Sequence, residues 1–382
     1  MKYLYLLILL FPVACFAQFN IEGKVVNVNT GTPVPNASVF INNTTIGAKA
    51  DTSGFFKLSD LKQGQYELIV SSVGYETYRQ TLVINQNMVL PHIKMQPYTL
   101  MANEVTIVGK DSKHDKKLKM FKEQFLGRDI FWKDCKIVNP EVLKLTLSKS
   151  GQVLTASTND FLEIENNALG YKLKYLLSDF VLDKELGRLK YEGSALFEEK
   201  EGTSAQKEKW EENRHLVYYG SVTHFLRTIL ANTTDSDFVV RPFCIRSFEQ
   251  TIKIPRVRVI NPEPADTTKY LMAMYDTLRM ANYIHKTKQK GVYAINYPED
   301  LDVFYFPPGV PHDIDQDLED GNYGQIGSFN FIDENILFDI HGIILNPTGA
   351  LFRYKWGTSR VAELLPINYL PPIREVKKKK NL

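Results

Sequence analysis

The segment from Phe19 to Met95 is cut into short alternating stretches by turn residues about every 8–12 positions, a cadence that restricts it to strands folding back on one another. Phe19, Ile21 and Gly23 alternate with polar residues and lead through Val25-Val26 into Asn29-Thr30-Gly31-Thr32-Pro33. Gly tolerates positive φ and Pro fixes φ near its turn value, so this cluster reverses the chain. Ala37, Val39 and Ile41 alternate with Ser38 and Phe40, and Asn42-Asn43 closes the strand. Asp51-Thr52-Ser53-Gly54 turns the chain into Phe55-Phe56-Lys57-Leu58. Tyr66, Leu68 and Val70 alternate with Glu67 and Ile69, and Tyr78 with Thr81 to Ile84 supplies a further strand. About seven strands in so short a span predict a two-sheet sandwich. Within it Asp51 is expected to accept backbone hydrogen bonds inside its own turn, and Gly54 to take the left-handed conformation.

Ahead of the sandwich, Lys2 is followed by an apolar run from Tyr3 to Ala14, and Cys15-Phe16-Ala17 places small residues before Gln18. A charged start, a short apolar core and a small-residue site predict a secretory signal peptide over residues 1–17. The run falls short of the about 20 residues of a membrane span, which makes a retained anchor the less favoured alternative. A third reading is lipidation of Cys15, because Val13-Ala14-Cys15 resembles the end of a bacterial lipoprotein box, although Pro12 stands where Leu is usual. After signal cleavage no transmembrane segment is expected. The protein is thus expected to be exported, either periplasmic or outer-membrane associated. Export would permit a Cys135–Cys244 disulfide, with two separate thiols as the alternative.

The residues of the sandwich carry a resemblance. Gly23-Lys24-Val25, Pro33-Val34-Pro35-Asn36-Ala37-Ser38-Val39, Asp51-Thr52-Ser53-Gly54-Phe55-Phe56 and Gly64-Gln65-Tyr66-Glu67-Leu68 with Val73-Gly74-Tyr75 fall in the order seen in the carboxypeptidase regulatory-like domain. The resemblance implies a transthyretin-like β-sandwich, generally non-catalytic, of a kind abundant on exported proteins of Bacteroidota-type bacteria. Asn103-Glu104-Val105-Thr106-Ile107-Val108-Gly109 also looks like the segment that follows this domain in outer-membrane transporters. The remaining chain lacks the serial strands of such a barrel, so the segment reads as a last strand and linker.

Lys110 to Lys122 is rich in lysine and reads as a solvated linker or the polar face of a helix. Met120, Phe121, Phe125 and Leu126 predict a helix over about 116–126, stopped by Gly127. From Val142 strands dominate. Val142–Leu147 turns at Ser150-Gly151 into a second strand over Val153–Ile164, and Tyr171–Phe180 and Leu189–Glu198 follow. Glu199–Lys209 is polar and reads as a loop. Trp210 to Leu230 reads as two helices separated by Gly220-Ser221. Strands resume over Phe238–Phe243, Arg256–Ile260, Tyr270–Leu278, Val292–Ile295, Val303–Phe306, Phe329–Phe331, Ile336–Ile344 and Leu351–Trp356. The fold class expected is mainly β to α+β: a transthyretin-like sandwich, then a larger α+β domain with an antiparallel sheet and a helical insertion. The division reads as 1–17 signal peptide, 18–109 sandwich, 110–130 linker and helix, 131–372 α+β domain and 373–382 basic tail. Asn139-Pro140, Tyr219-Gly220-Ser221 with His224-Phe225-Leu226-Arg227, and Arg360 to Pro366 resemble the companion region of uncharacterised exported proteins. That likeness implies no activity.

Several chemistries are excluded or weakened. With 46 Lys+Arg against 44 Asp+Glu, the net charge of +2 is no polyelectrolyte for nucleic acid. None of the seven histidines lies in a His-Glu-x-x-His or His-x-x-Glu pair. The nucleophile elbow, the phosphate-binding loop and the Cys-x-x-Cys pair are missing too. No cofactor is expected. Three constellations remain. Arg214, His215, His224 and Arg227 surround Gly220-Ser221, with His224 and Arg227 on one helical face as the candidate catalytic pair; an amphipathic helix capping the sheet is the bland alternative. Asp313, Asp315, Asp317 and Asp320 alternate as calcium candidates beside His312, but an EF-hand spacing fails at Leu318 and Gly324, and a mobile acidic loop is the alternative. Lys377 to Lys380 forms a basic tail that anionic lipid would attract weakly. The favoured function is a non-catalytic binding or scaffolding protein of the bacterial envelope with a protein or glycan partner. The alternative is an envelope-polymer hydrolase using His224 or acids from Glu299 to Asp320.

Overall fold

The computed structural model describes residues 18–98, 112–231, 237–246, 258–259, 271–274, 278–307 and 325–372. The signal segment with Cys15, the stretch Asn103–Gly109, the calcium candidates Asp313, Asp315, Asp317 and Asp320, and the lysine tail lie outside the described residues. The chain divides into two compact units, one of residues 1–42 and 46–103, the other of residues 43–45 and 104–382.

The first unit contains β1 (Phe19–Asn27), β2 (Ser38–Ile41), β3 (Gly47–Lys49), β4 (Phe55–Leu61), β5 (Gly64–Ser71), β6 (Tyr78–Ile84), β7 (Met88–Val89) and β8 (Ile93–Met95). They form one four-stranded sheet, in which β1 pairs with β4, β7 and β8, and another in the order β3-β2-β5-β6. Alternation sets the core: Ile21 and Val25 on β1, Phe56 and Leu58 on β4, and Leu68 and Val70 on β5 are all essentially inaccessible. Each such side chain contributes about 1.5–3 kcal/mol by leaving water. The family-like turn explains itself physically. Asp51 Oδ1 accepts from the Ser53 amide and hydroxyl, both at 2.8 Å, and from the Phe55 amide at 2.9 Å. Those donors hold the Asp51 carboxyl below its usual range. Gly54 sits at φ +76°, and a Cβ there would lie 2.4 Å from the Val25 carbonyl oxygen, so no side chain fits.

The second unit opens with α1 (Ser112–Phe125), β9 (Cys135–Ile137), β10 (Leu143–Leu147), β11 (Val153–Thr158), β12 (Leu162–Asn166), β13 (Tyr171–Asp183) and β14 (Arg188–Glu199). These strands make an antiparallel six-stranded sheet. The segment expected as one strand over 153–164 is two, broken after Thr158. The long β13 pairs with β11 along its second half and with β12 along its first. Asp160 caps the break by accepting from the Phe161 amide at 2.7 Å. Ser178 is the extra residue in the β13–β14 register, and its hydroxyl donates to the Glu192 carbonyl at 3.0 Å. The apolar face of α1 covers this sheet. Phe121 and Phe125 stack at 4.8 Å, with Phe180 and Tyr175 edge-on to them. Gly127, at φ +102°, ends the helical run as expected.

Next come α2 (Ser204–Tyr218) and α3 (Val222–Ala231). The polar stretch 199–209 is not all loop. Thr203 Oγ1 accepts from the Gln206 amide while the Gln206 side chain accepts from the Thr203 amide, and this capping box starts the helix in a polar sequence. The docking of α2 is itself polar: Trp210 Nε1, Asn213 Nδ2 and Arg214 Nε donate in turn to the carbonyls of Asn167, Ala168 and Leu169, at 2.9, 2.8 and 2.9 Å. Helical spacing thus matches three consecutive acceptors of the β12–β13 turn.

The remainder holds β15 (Phe238–Arg246), β16 (Arg258–Val259), β17 (Leu271–Met274), β18 (Ile284–Lys286), β19 (Val292–Ile295), β20 (Asp300–Tyr305), β21 (Gln325–Phe331), β22 (Ile336–Asp339), β23 (Ala350–Arg353) and α4 (Tyr354–Thr358). One sheet runs β16-β17-β15-β20-β21-β23 and a smaller one β18-β19-β22. The antiparallel sheet expected for this region is therefore divided among three in the second unit. Phe225 and Leu226 of α3 pack with Phe238, Val240, Leu301, Val303, Phe329 and Trp356 in a second core. The strand expected over 351–356 stops at Arg353, where Tyr354 takes φ +53° and starts a short helix. That turn delivers the Trp356 ring over Gly327, where a Cβ would lie only 2.1 Å away. The strand expected over 336–344 likewise reverses after Asp339, whose Oδ1 accepts from the His341 and Ile343 amides.

Candidate functional site

The expected catalytic pair is built into the fold. Ser221 caps α3 by accepting the His224 amide at 3.1 Å. The imidazole then turns back, and Nδ1 accepts from the Gly220 amide at 3.2 Å. An accepting Nδ1 carries a lone pair, so the ring is neutral with its proton on Nε2 while this bond is made. His224 is buried among Tyr218, Tyr219, Phe238 and Tyr305, with ring centroids 4.9–5.5 Å away. Arg227, one turn on, donates to three main-chain carbonyls: Nε to His341 at 2.8 Å, Nη1 to Tyr369 at 3.0 Å and Nη2 to Ile367 at 2.6 Å. The pair shares a helical face, but His224 Nδ1 and the three guanidinium nitrogens of Arg227 are engaged by main chain, and Arg227 Nη1 also lies 3.5 Å from the Tyr218 hydroxyl.

Arg214 and His215 part from that pair. Arg214 stacks on the Tyr171 ring, its guanidinium carbon 4.0 Å from the centroid. Its Nη1 lies 3.3 Å from Glu199 Oε1 and 3.6 Å from Glu211 Oε2. Glu211 Oε1 accepts from the Tyr369 hydroxyl at 2.7 Å. His215 Nε2 lies 3.3 Å from the same Glu211 oxygen, but the angle is not that of a hydrogen bond, which leaves a close charge contact only if the ring is protonated. Burial pushes the Tyr171 phenol up, with Arg214 opposing. Burial also pushes the Tyr369 phenol up, and its hydrogen bond to Glu211 adds to the effect. Both phenols are therefore neutral donors at any physiological pH. Tyr171, Glu199, Glu211, Arg214 and Tyr369 line a cleft of about 410 Å³.

A third polar group lies on the six-stranded sheet that contains β20. Leu301, Val303 and Tyr305 face the second core, so Asp300 and Asp302 point to the other side. Asp302 is 4% exposed, and Ser328 and Asn330 of β21 are buried with it. Burial pushes the Asp302 carboxyl up to about 6, against the hydrogen bond that Ser328 donates to it, and Asp300 adds repulsion. Asp300 also rises through burial, against Arg353 4.0 Å away and the Asn330 amide that donates to it. Asp302 Oδ1 and Asn330 Oδ1 have no hydrogen-bond partner among the described residues. The strand expected over Val303–Phe306 begins at Asp300 instead, so neither the place of Asp300 and Asp302 on one strand face nor the burial of that face was read from the sequence.

Among the described residues no three His, Cys, Asp or Glu side chains stand together to hold a metal ion. Cys135 carries a free, half-buried thiol pushed up to about 12 by burial and the nearby Asp134 charge. It is thus protonated at neutral pH, the opposite of an activated nucleophile. The Cys244 side chain lies outside the described residues.

The architecture is that of a mainly β protein whose first unit is a sandwich of two four-stranded sheets. Residues 21–107 match the CarboxypepD_reg-like domain family, and the sandwich is such a domain. No curated protein matches the chain. Among solved structures, a mutant cohesin–X-dockerin complex from Acetivibrio cellulolyticus is 21% identical over 20% of this chain, with a TM-score of 0.19. The match spans 56% of that chain, little more than half of its length. The 5-hydroxyisourate hydrolase of Klebsiella pneumoniae is 18% identical over 21% of this chain and 91% of its own, with a TM-score of 0.19. A DUF3823 family protein from Bacteroides ovatus is 12% identical over 49% of this chain and 83% of its own, again at 0.19.

Proposed function

We propose that this chain is an exported, non-catalytic binding protein of the bacterial envelope that engages a protein or glycan partner. The observation that carries the reading is the employment of Arg227 and His224. A guanidinium committed to three main-chain carbonyls and an imidazole accepting from a backbone amide have structural work that explains their presence. The signal-like residues 1–17 support export, and the CarboxypepD_reg-like domain supports a non-catalytic front unit. Among the described residues no helix is long and apolar enough to cross a membrane. The address is periplasmic or outer-membrane associated, in an organism of Bacteroidota type, with Cys15 lipidation as the alternative to simple cleavage after Ala17.

One observation favours a hydrolase as the second reading. Asp300 and Asp302 stand two residues apart on one strand and face the same side, with about 7 Å of backbone rise between them, and glycosidases use a pair of carboxyl groups flanking the bond they cleave. The elevated Asp302 would serve as the acid. Incubation of the mature chain with isolated sacculi separates the two. The binding reading expects co-sedimentation with no soluble fragments released. Release that disappears in a folded Asp302→Asn variant would replace it with the hydrolase.

A further inference from the structure

The cleft beside α2 has a composition that selects its ligand. Two of its groups are held before anything binds: Arg214 by the Leu169 carbonyl and the Tyr171 face, and Glu211 by the Tyr369 hydroxyl. Preorganised polar groups lose little entropy on binding. A volume of about 410 Å³ lies within the range of small-ligand sites. An anion entering here would face Glu199 and Glu211, and a cation would lie against the Arg214 guanidinium. A neutral polyol meets neither penalty. Its adjacent hydroxyls each offer a donor and an acceptor, which suits a guanidinium set 3.3 and 3.6 Å from two carboxylates. Among the described residues the hydrogen bonds of Arg214 run from Nε and Nη1, which leaves the Nη2 hydrogens for a ligand. Pro366, Pro372 and the exposed Leu370 supply an apolar wall for the C–H face of a ring.

We infer that this cleft is a binding site for an uncharged sugar of a glycan, with Arg214 as donor and Glu199 and Glu211 as acceptors. The inference deepens the envelope-binding reading and rests on it for the source of the glycan. The test is an array of neutral, anionic and cationic oligosaccharides probed with the mature chain, followed by titration of the retained neutral oligosaccharide. Neutral glycans should be retained, and Glu199→Ala and Glu211→Gln should each weaken binding about ten-fold or more. The Glu199 side chain is 64% exposed, so Glu199→Ala should leave the melting temperature unchanged and separate recognition from folding. Three outcomes overturn the inference: no neutral glycan retained, charged glycans preferred, or retention indifferent to both substitutions. Co-sedimentation with sacculi distinguishes the two failures. If wild type sediments and Glu199→Ala sediments equally, the cleft assignment falls and envelope binding stands. If wild type does not sediment while the array shows neutral binding lost in Glu199→Ala, the envelope reading falls and the cleft stands.

Discussion

The two six-stranded sheets of the second unit treat charge in opposite ways. The sheet of β9 to β14 buries an aromatic face under α1 and leaves its charges in water. Lys174 meets Glu198 at 2.6 Å across β13 and β14, and Lys190 lies 3.2 Å from Glu192 and 3.5 Å from Asp179. The sheet of β15 to β17, β20, β21 and β23 also buries an aromatic face, yet its other side buries Arg241, Asp302, Ser328 and Asn330. Solvated pairs on the first sheet are worth about 0–1 kcal/mol each. A buried carboxylate shifts its own titration and makes stability depend on pH. Equal strand number thus says little about what a sheet keeps from water: the first buries neutral polar groups such as Asn166 and Ser194, whereas the second also buries the ionisable Arg241 and Asp302.

Four substitutions probe that contrast, in falling order of effect. Phe180→Ala removes a fully buried ring from beneath Phe121 and Phe125. It should cost about 3–5 kcal/mol in urea unfolding. A loss near 1 kcal/mol would mean that the α1-covered face is not a packed core. Arg227→Ala strands the carbonyls of His341, Ile367 and Tyr369. The expected loss is about 3 kcal/mol, read as a lower denaturation midpoint. A neutral result would undo the structural role given to this side chain.

Asp302→Asn has a sign that depends on pH. The folded-state value of about 6 lies above the ordinary 3.8, so the folded protein holds this proton more tightly than the unfolded chain does. Its contribution is complete below about 4 and is lost as pH rises through about 6. The variant should therefore gain on wild type by on the order of 2–3 kcal/mol at pH 8 and by almost nothing at pH 4. Paired melts across that range would reveal a flat difference if the side chain were solvated after all. Asp339, also pushed up to about 6 by burial, titrates in both proteins and cancels from the difference. Lys174→Ala, on the solvated face of the first sheet, should change stability by under about 1 kcal/mol at any pH. A larger effect would erase the contrast between the two sheets.

The sandwich was legible because each of its signals is local. The Asp51 turn needs donors within four residues, and Gly54 needs only the absence of a Cβ. The helix ended by Gly127 and the strand over Val292–Ile295 were readable for the same reason. The split between β11 and β12 was hidden, because it follows from β13 being long enough to serve two partners along one edge. The start of α2 was hidden as well, since its docking face presents Asn213 and Arg214 to main-chain carbonyls and defeats an apolar count. His224 and Arg227 stood out as reactive residue types, but their acceptors and donors came from loops and turns up to 142 residues away.

Sequence alone determined the alternation of the strands, the positions of the turns and the kinship of the front domain. These depend on side-chain polarity and backbone sterics within a few residues. The tertiary structure decided which charges leave water and which donors find carbonyls, and it brought Arg214, Glu199 and Glu211 to one wall. Those outcomes require distant segments to meet, and hydrogen-bonding partners are chosen by distance in space, which chain order does not encode.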